Sequence, residues 1–159
     1  MSRKAAVLTI SDSGFHGTRE DRSGPAVTAR LVEEGYEVVR HGLSPDDREI
    51  IAAHLRDLSA TPEIAIFTTG GTGVTERDIT PEATRDVIEK ELPGFGEQMR
   101  AHGLKFTPKA VLSRALAGTR NGCLIVNLPG SPKAAVESID AILELVPHVL
   151  DLINGRTGH

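Results

Sequence analysis

Residues Ile64 to Thr84 read IAIFTTGGTGVTERDITPEAT, and this stretch decides the fold. Ile64, Ala65, Ile66 and Phe67 are apolar without polar alternation, the pattern of a strand covered on both faces in a parallel sheet. Thr68-Thr69-Gly70-Gly71-Thr72-Gly73 follows, and its glycines, lacking Cβ atoms, let backbone N–H groups crowd around a ligand. The natural ligand of such a loop is an anion. A helix is expected to restart at Thr80-Pro81-Glu82, with Thr80 as N-cap, Pro81 at the first helical position and Glu82 favoured by the helix dipole. The loop then joins the carboxyl end of a strand to the amino end of a helix, with Asp78 between them. It matches neither GxxxxGK[ST] nor GxGxxG, so close packing of strand on helix is an alternative use of the same glycines.

Working outward, Ala5 to Ile10 is a second apolar run and ends at Ser11-Asp12-Ser13-Gly14, a strand followed by a loop. Ser23-Gly24-Pro25 opens a helix with Val27, Leu31 and Val32 inward and Gly35 at its end. Tyr36 to Leu43 reads as a strand, and Ser44-Pro45-Asp46-Asp47 as the head of a helix that buries Ile51, Leu55 and Leu58. The Thr80 helix is expected to reach about Glu91. Phe95 to Pro108 is loosely patterned and is a candidate lid or subunit contact. Asn121-Gly122 is a hairpin signal, which makes one strand antiparallel. Cys123 to Asn127 is the last strand, and Leu128-Pro129-Gly130-Ser131-Pro132 leads into a long amphipathic helix interrupted at Pro147.

Strand and helix alternate, so the expected architecture is α/β: a three-layer α/β/α sandwich with a mostly parallel sheet of about five strands, one of them antiparallel. The loops carrying Ser11-Asp12, Asp46, the TTGGTG run with Asp78, and Pro129-Gly130-Ser131 all follow strands and precede helices. They gather at the carboxyl edge of the sheet, where open α/β sheets bind ligands.

Composition narrows the function. The chain has 159 residues, 39% hydrophobic and 25% charged, enough for one domain with a real core. A net charge of −4 offers no footprint for nucleic acid or an anionic membrane. Phe15, Phe67, Phe95, Phe106 and Tyr36 are too scattered for a base-stacking platform. No apolar run reaches the ~18 residues of a membrane span, and the apolar stretch after Lys4 is broken by Ser11-Asp12 as a signal peptide would not be. Cys123 is the only cysteine; ahead of Leu-Ile-Val it reads as a buried thiol, and a reducing cytoplasm fits.

Glycine-loop amides and helix amino ends suit phosphate, whereas Asp12, Asp46 and Asp78 would repel it unless a divalent cation intervened; a magnesium–phosphate site resolves the conflict. Asp46 also has a structural reading, since an aspartate in a helix's first turn is stabilised by about 0.3–1 kcal/mol. Asp78 lies outside the helix, with no evident capping role, and points to function; Arg77 either holds it or is solvated. Ser113 and Arg114 are either a surface loop or a ligand contact. Lys133 stands in the first turn of the last helix, a poor place for a cation unless an anion sits there, and is a candidate phosphate-binding lysine. The histidines show no HExxH or other zinc spacing, and no GxSxG elbow is present.

TTGGTGVTERDITPEAT, with ISDS at Ile10 to Ser13, DRSGP at Asp21 to Pro25, SPDD at Ser44 to Asp47, PGFGEQMR at Pro93 to Arg100, LSRALAG at Leu112 to Gly118 and IVNLPGSPKA at Ile125 to Ala134, resembles the molybdopterin adenylyltransferase family. That family includes the G domains of gephyrin and of the plant molybdenum-insertion protein. The resemblance spans nearly the whole chain, 1–159, as a single molybdopterin-binding domain. It implies a cytoplasmic homotrimer that binds molybdopterin and ATP with magnesium, transfers AMP to the pterin's terminal phosphate and releases pyrophosphate, with hand-off to a molybdenum-insertion enzyme.

By motif, the resemblance puts Asp46 and Asp78 on the two catalytic aspartates, which are also the tentative magnesium ligands. Ser11 and Asp12 fall on the first-strand site and Ser113 on a pterin-side serine. Thr69, Gly70, Gly71, Thr72 and Gly73, like Pro129, Gly130 and Ser131, fall on binding loops. A sister branch keeps the fold but often lacks the aspartate matching Asp46; here Pro45-Asp46-Asp47 is intact. The rival reading is a non-catalytic molybdopterin carrier of the same family.

Overall fold

The computed structural model describes residues 2–158. In chain order it runs β1 (Lys4–Ile10), the single turn α1 (Asp12–Phe15), α2 (Ser23–Glu33), β2 (Glu37–Ser44), α3 (Arg48–Leu58), β3 (Ile64–Thr69), α4 (Thr80–Arg85) and β4 (Lys90–Glu91). It continues through α5 (Pro93–Gly103), a 3₁₀ turn at Pro108–Leu112, β5 (Ala117–Arg120), β6 (Cys123–Leu128), α6 (Pro132–Ile142), a 3₁₀ turn at Leu143–Leu145 and α7 (Val146–Ile153).

The strands form one sheet in the order β2-β1-β3-β6-β5-β4. β2, β1, β3 and β6 are parallel, and β5 runs against both of its neighbours. β5 and β6 meet at Asn121-Gly122, whose φ angles of 47° and 74° are the left-handed pair of a type I′ turn. Chain order reverses on either side of β1, which pairs β2 on one edge and β3 on the other. The carboxyl ends of β1 and β3 are therefore the switch point where such sheets open a crevice.

Alternate residues of each strand face opposite ways, so the sheet has two cores. Ala5, Val7, Ala65, Phe67, Leu124 and Val126 pack under α2, α5, α6 and α7 through Val27, Leu31, Met99, Ile139, Ile142 and Leu150. Ala6, Leu8, Ile10, Ile64, Ile66 and Ile125 pack under α3 and α4 through Ile51, Leu55, Leu58 and Ala83. These are the two outer layers of the expected sandwich.

Three local expectations change. The helix opened at Thr80 ends at Arg85, because Glu89 and Leu92 donate backbone hydrogen bonds to Thr119 and Ala117 (2.7 and 2.8 Å) and the chain becomes β4. The sheet accordingly has six strands rather than about five. Thr80 does not cap its helix; its hydroxyl donates to the carbonyl of Gly70 (2.9 Å). Val32 is 56% exposed, while Val27 and Leu31 carry that helix's contact with the sheet.

Candidate active site

The glycine loop is stitched to three neighbouring elements. Thr69 Oγ1 donates to the Pro129 carbonyl (2.6 Å), the Gly70 amide to the Leu128 carbonyl (3.0 Å) and the Thr80 amide to the Gly71 carbonyl (3.1 Å). Gly70 has φ +106°, and a Cβ there would collide with the carbonyl of Ile10. Gly71 has φ +69°, and its Cβ would meet Thr80 Oγ1 and come within 3.1 Å of Asp46 Oδ1. Glycine is required at both positions by conformation and by the close approach of neighbouring chain.

Beside the loop, Asp12 and Asp46 exchange hydrogen bonds. The Asp12 amide donates to Asp46 Oδ2 (3.0 Å) and the Asp46 amide to Asp12 Oδ1 (2.8 Å). Arg77 donates from Nε and Nη2 to Asp12 Oδ2 (2.9 and 2.6 Å), so it holds Asp12 and not Asp78. The Asp46 amide, followed by Arg77, keeps the Asp12 carboxyl below its ordinary range despite some desolvation. Asp46 is pushed up by burial, helped by the charges of Asp12 and Asp78, against the lowering effect of the Asp12 amide. The helix N-cap here is Asp47, which accepts from the Ile50 amide (3.0 Å); Asp46 precedes the helix, and the first-turn explanation for it fails.

Asp78 does have a local role. Its Oδ2 accepts from the amide and hydroxyl of Thr75 (2.9 and 2.7 Å), closing the turn that brings it beside Gly73. Arg114 holds the same loop from outside. Its amide donates to the Thr72 carbonyl (2.9 Å), Nε to the Gly73 carbonyl (2.8 Å) and Nη2 to the Asp78 carbonyl (2.9 Å), while Nη1 pairs with Glu82 Oε2 (2.6 Å). That pairing lowers the Glu82 carboxyl.

Two cavities flank this arrangement. One, of about 480 Å³, has an apolar wall of Met99, Ala110, Leu112, Ala115, Pro129 and Ala134. The other, of about 830 Å³, is lined by Thr9, Ser11, Asp21, Asp46, Thr69 and Ser131 among others. Gly71, Asp78 and Gly130 line both.

The sequence profile of the family described as "probable molybdopterin binding domain" matches residues 6–148. The chain belongs to this family. It is 44% identical to the molybdopterin adenylyltransferase of Helicobacter pylori strain J99, over 94% of this chain and 87% of that protein. Against the molybdopterin adenylyltransferase of Escherichia coli K12 it is 35% identical, over 96% of this chain and 86% of that one. Its fold superposes on the molybdopterin biosynthesis enzyme MoaB of Thermus thermophilus with a TM-score of 0.89 at 45% identity, covering 96% of this chain and 97% of the other.

In this molybdopterin-binding domain, most of the residues singled out from sequence converge on the two cavities. Ser11, Asp46, Thr69 and Ser131 line the larger and Thr72, Gly73, Ser113 and Pro129 the smaller, with Gly71, Asp78 and Gly130 shared. Gly70 also lines the larger cavity, and Asp12 lies behind Asp46. Lys133 is the exception: it is exposed on the first turn of α6 and lines neither of these cavities, while the α6 N-cap, Ser131, accepts from the Ala134 amide (3.3 Å). Asp21 was not singled out. It accepts from Thr9 Oγ1 (2.9 Å) and the Gly24 amide (3.0 Å), tying the start of α2 to β1. Its signal is the DRSGP sequence, which reads from composition alone as a helix start.

Proposed function

We propose that the protein is a molybdopterin adenylyltransferase that transfers AMP from ATP to the terminal phosphate of molybdopterin. The observation that carries this reading is the meeting of two cavities of unlike chemistry at Gly71, Asp78 and Gly130. An apolar-walled cavity suits a pterin, and one lined by hydroxyls, carboxylates and glycine-loop backbone suits the phosphates of ATP. The names borne by the relatives from Helicobacter pylori and Escherichia coli support the same chemistry.

In this reaction an oxygen of the pterin's phosphate monoester attacks the α-phosphorus of ATP, forming the new P–O bond. The bond from that phosphorus to the oxygen bridging the β-phosphate breaks, and pyrophosphate leaves with the electron pair. The nucleophile is already anionic near neutral pH, so no general base is required. The protein has to align two anions and counter the charge that develops between them.

Magnesium fits the residues present. Among the described residues no cluster of three or more acidic, histidine or cysteine side chains is placed to hold a metal. Magnesium is commonly held by one or two carboxylates, with substrate phosphates and waters completing its shell. Asp46, disfavoured as an anion by burial and by the charges of Asp12 and Asp78, would be stabilised as an anion by a nearby cation. Asp46 and Asp78 would hold the ion, and when bound it would neutralise charge on the phosphates.

In the cell the protein would work as a cytoplasmic trimer and pass its product to a molybdenum-insertion enzyme. Exposed Leu104, Phe106, Val111 and Leu112, gathered in the segment after α5, support a subunit contact there. The direct test combines purified protein, molybdopterin, ATP and magnesium. Pyrophosphate and the adenylylated pterin are expected; tight pterin binding without pyrophosphate would identify a carrier instead.

A further inference from the structure

Glu137, on α6, lines the cavity of about 480 Å³ whose wall is otherwise largely apolar. Its Oε2 is buried and receives no hydrogen bond. The only other such buried side-chain atoms among the described residues, Thr28 Oγ1 and Tyr36 Oη, belong to residues that do not line this cavity.

The cations nearby do not answer the carboxylate. Arg100 spends Nη1 on the carbonyls of Ser113 and Ala115 (3.3 and 3.1 Å). Lys109 lines the same cavity and Lys133 stands one turn earlier on α6, yet both are exposed and neither forms an ion pair with Glu137. An ionised carboxylate can only accept, and a buried acceptor left without a donor is costly. A guest with apolar faces and an N–H donor edge would match both the largely apolar wall and the unpartnered Glu137 oxygen.

We propose that Glu137 recognises the donor edge of the pterin ring. The 2-amino group and the adjacent ring N–H form a donor pair that matches a carboxylate, while Met99, Leu112 and Ala134 cover the ring's faces. The inference rests on the molybdopterin reading and adds to it the residue that selects the ring. Glu137 makes no contact with the reacting phosphates in this scheme. It sets affinity and specificity, so its loss raises KM and leaves kcat largely intact.

The test compares wild type with Glu137→Gln. Competition against molybdopterin uses pterin and lumazine, two bicycles that differ in the replacement of the 2-amino group by a carbonyl. Wild type is expected to prefer pterin by at least ~10-fold, because lumazine turns an acceptor toward the carboxylate. Glu137→Gln should bind molybdopterin ~10-fold or more weakly and lose most of that preference, with its thermal unfolding midpoint unchanged or raised. The wild-type comparison needs no mutation, so a folding defect cannot mask the result. Molybdopterin binding without any preference between pterin and lumazine, or with a preference that survives in Glu137→Gln, overturns the role of Glu137 alone. Failure of molybdopterin to bind wild type overturns the proposed function and this inference together.

Discussion

Asp12 and Asp46 each donate a backbone amide to the other's carboxylate, at 3.0 and 2.8 Å. They follow the ends of β1 and β2, whose register pairs Ile10 with Ser44, so adjacent parallel strands deliver the two acids side by side. The pair is asymmetric. Arg77 answers Asp12, whereas Asp46 faces the charges of Asp12 and Asp78 from a half-buried position. One member is a stabilised anion and the other a strained one, and the strained one borders the larger cavity.

Opposite effects on stability follow. The folded-state pKa of Asp46 is raised, so the acid costs nothing when protonated in both states, and the cost of ionising it grows as pH rises through the folded value. Asp46→Asn should therefore be more stable than wild type near pH 7 and lose that advantage near pH 3. The folded-state pKa of Asp12 is lowered, so its contribution is present above the unfolded value and disappears as pH falls through the folded one. Asp12→Asn should be less stable than wild type near pH 7, with the difference closing in acid. Urea unfolding of the three proteins at both pH values checks the two signs; the same sign for both variants would rule out the asymmetry.

Asp78→Asn should separate folding from catalysis. The amide oxygen can still accept from the Thr75 amide and hydroxyl, so the turn should persist and the thermal midpoint should stay near that of wild type. If Asp78 serves the phosphates as proposed, its charge is lost there and AMP transfer should slow by roughly 10²–10³. Single-turnover kinetics with saturating molybdopterin and ATP measure this. Full transfer activity in Asp78→Asn would make the carboxylate a turn former only.

Much of this arrangement was legible because it is written in local patterns. Short apolar runs gave the parallel strands, Asn121-Gly122 the reversal, and loops after strands the edge at which Asp46, Asp78 and Gly130 meet. What escaped depends on contacts between segments distant in sequence. Arg114 and the glycine loop are joined across some forty residues, and no local pattern shows that its guanidinium ends on Gly73, Asp78 and Glu82. The end of α4 was missed for a similar reason: its continuation is helical by pattern, yet the edge of β5 offers backbone partners that a sequence reading cannot see. Lys133, which the sequence marks by its place in the first turn of α6, stands exposed and lines neither cavity.

The apolar segment after α5 should control assembly. Phe106 and Leu112 are 53% and 54% exposed and also line the smaller cavity, so a subunit seated there would shield its mouth. Light scattering is expected to give three times the chain mass of 17.0 kDa, and Leu112→Glu to give a smaller species. A monomer mass for wild type at micromolar concentration would rule out the trimer.

Arg114 should prove to be a positioning residue. Its guanidinium ties the carbonyls of Gly73 and Asp78 to Glu82 on α4, and its amide ties the carbonyl of Thr72. Arg114→Ala keeps the backbone amide to Thr72 but leaves the carbonyls of Gly73 and Asp78 and the Glu82 carboxylate without their guanidinium donor. The pair is partly solvated, with side-chain exposures of 37% and 28%, so the stability loss should be moderate, about 1–3 kcal/mol. Arg114→Lys keeps the charge but not the planar fork that reaches three acceptors at once. It should recover part of the stability while leaving the loop misaligned, with transfer slowed more than its melting temperature predicts. Kinetics and calorimetry on both variants test this directly. If Arg114→Lys matches wild type in transfer rate, the geometry of the fork is irrelevant to the loop and charge alone holds α4 in place.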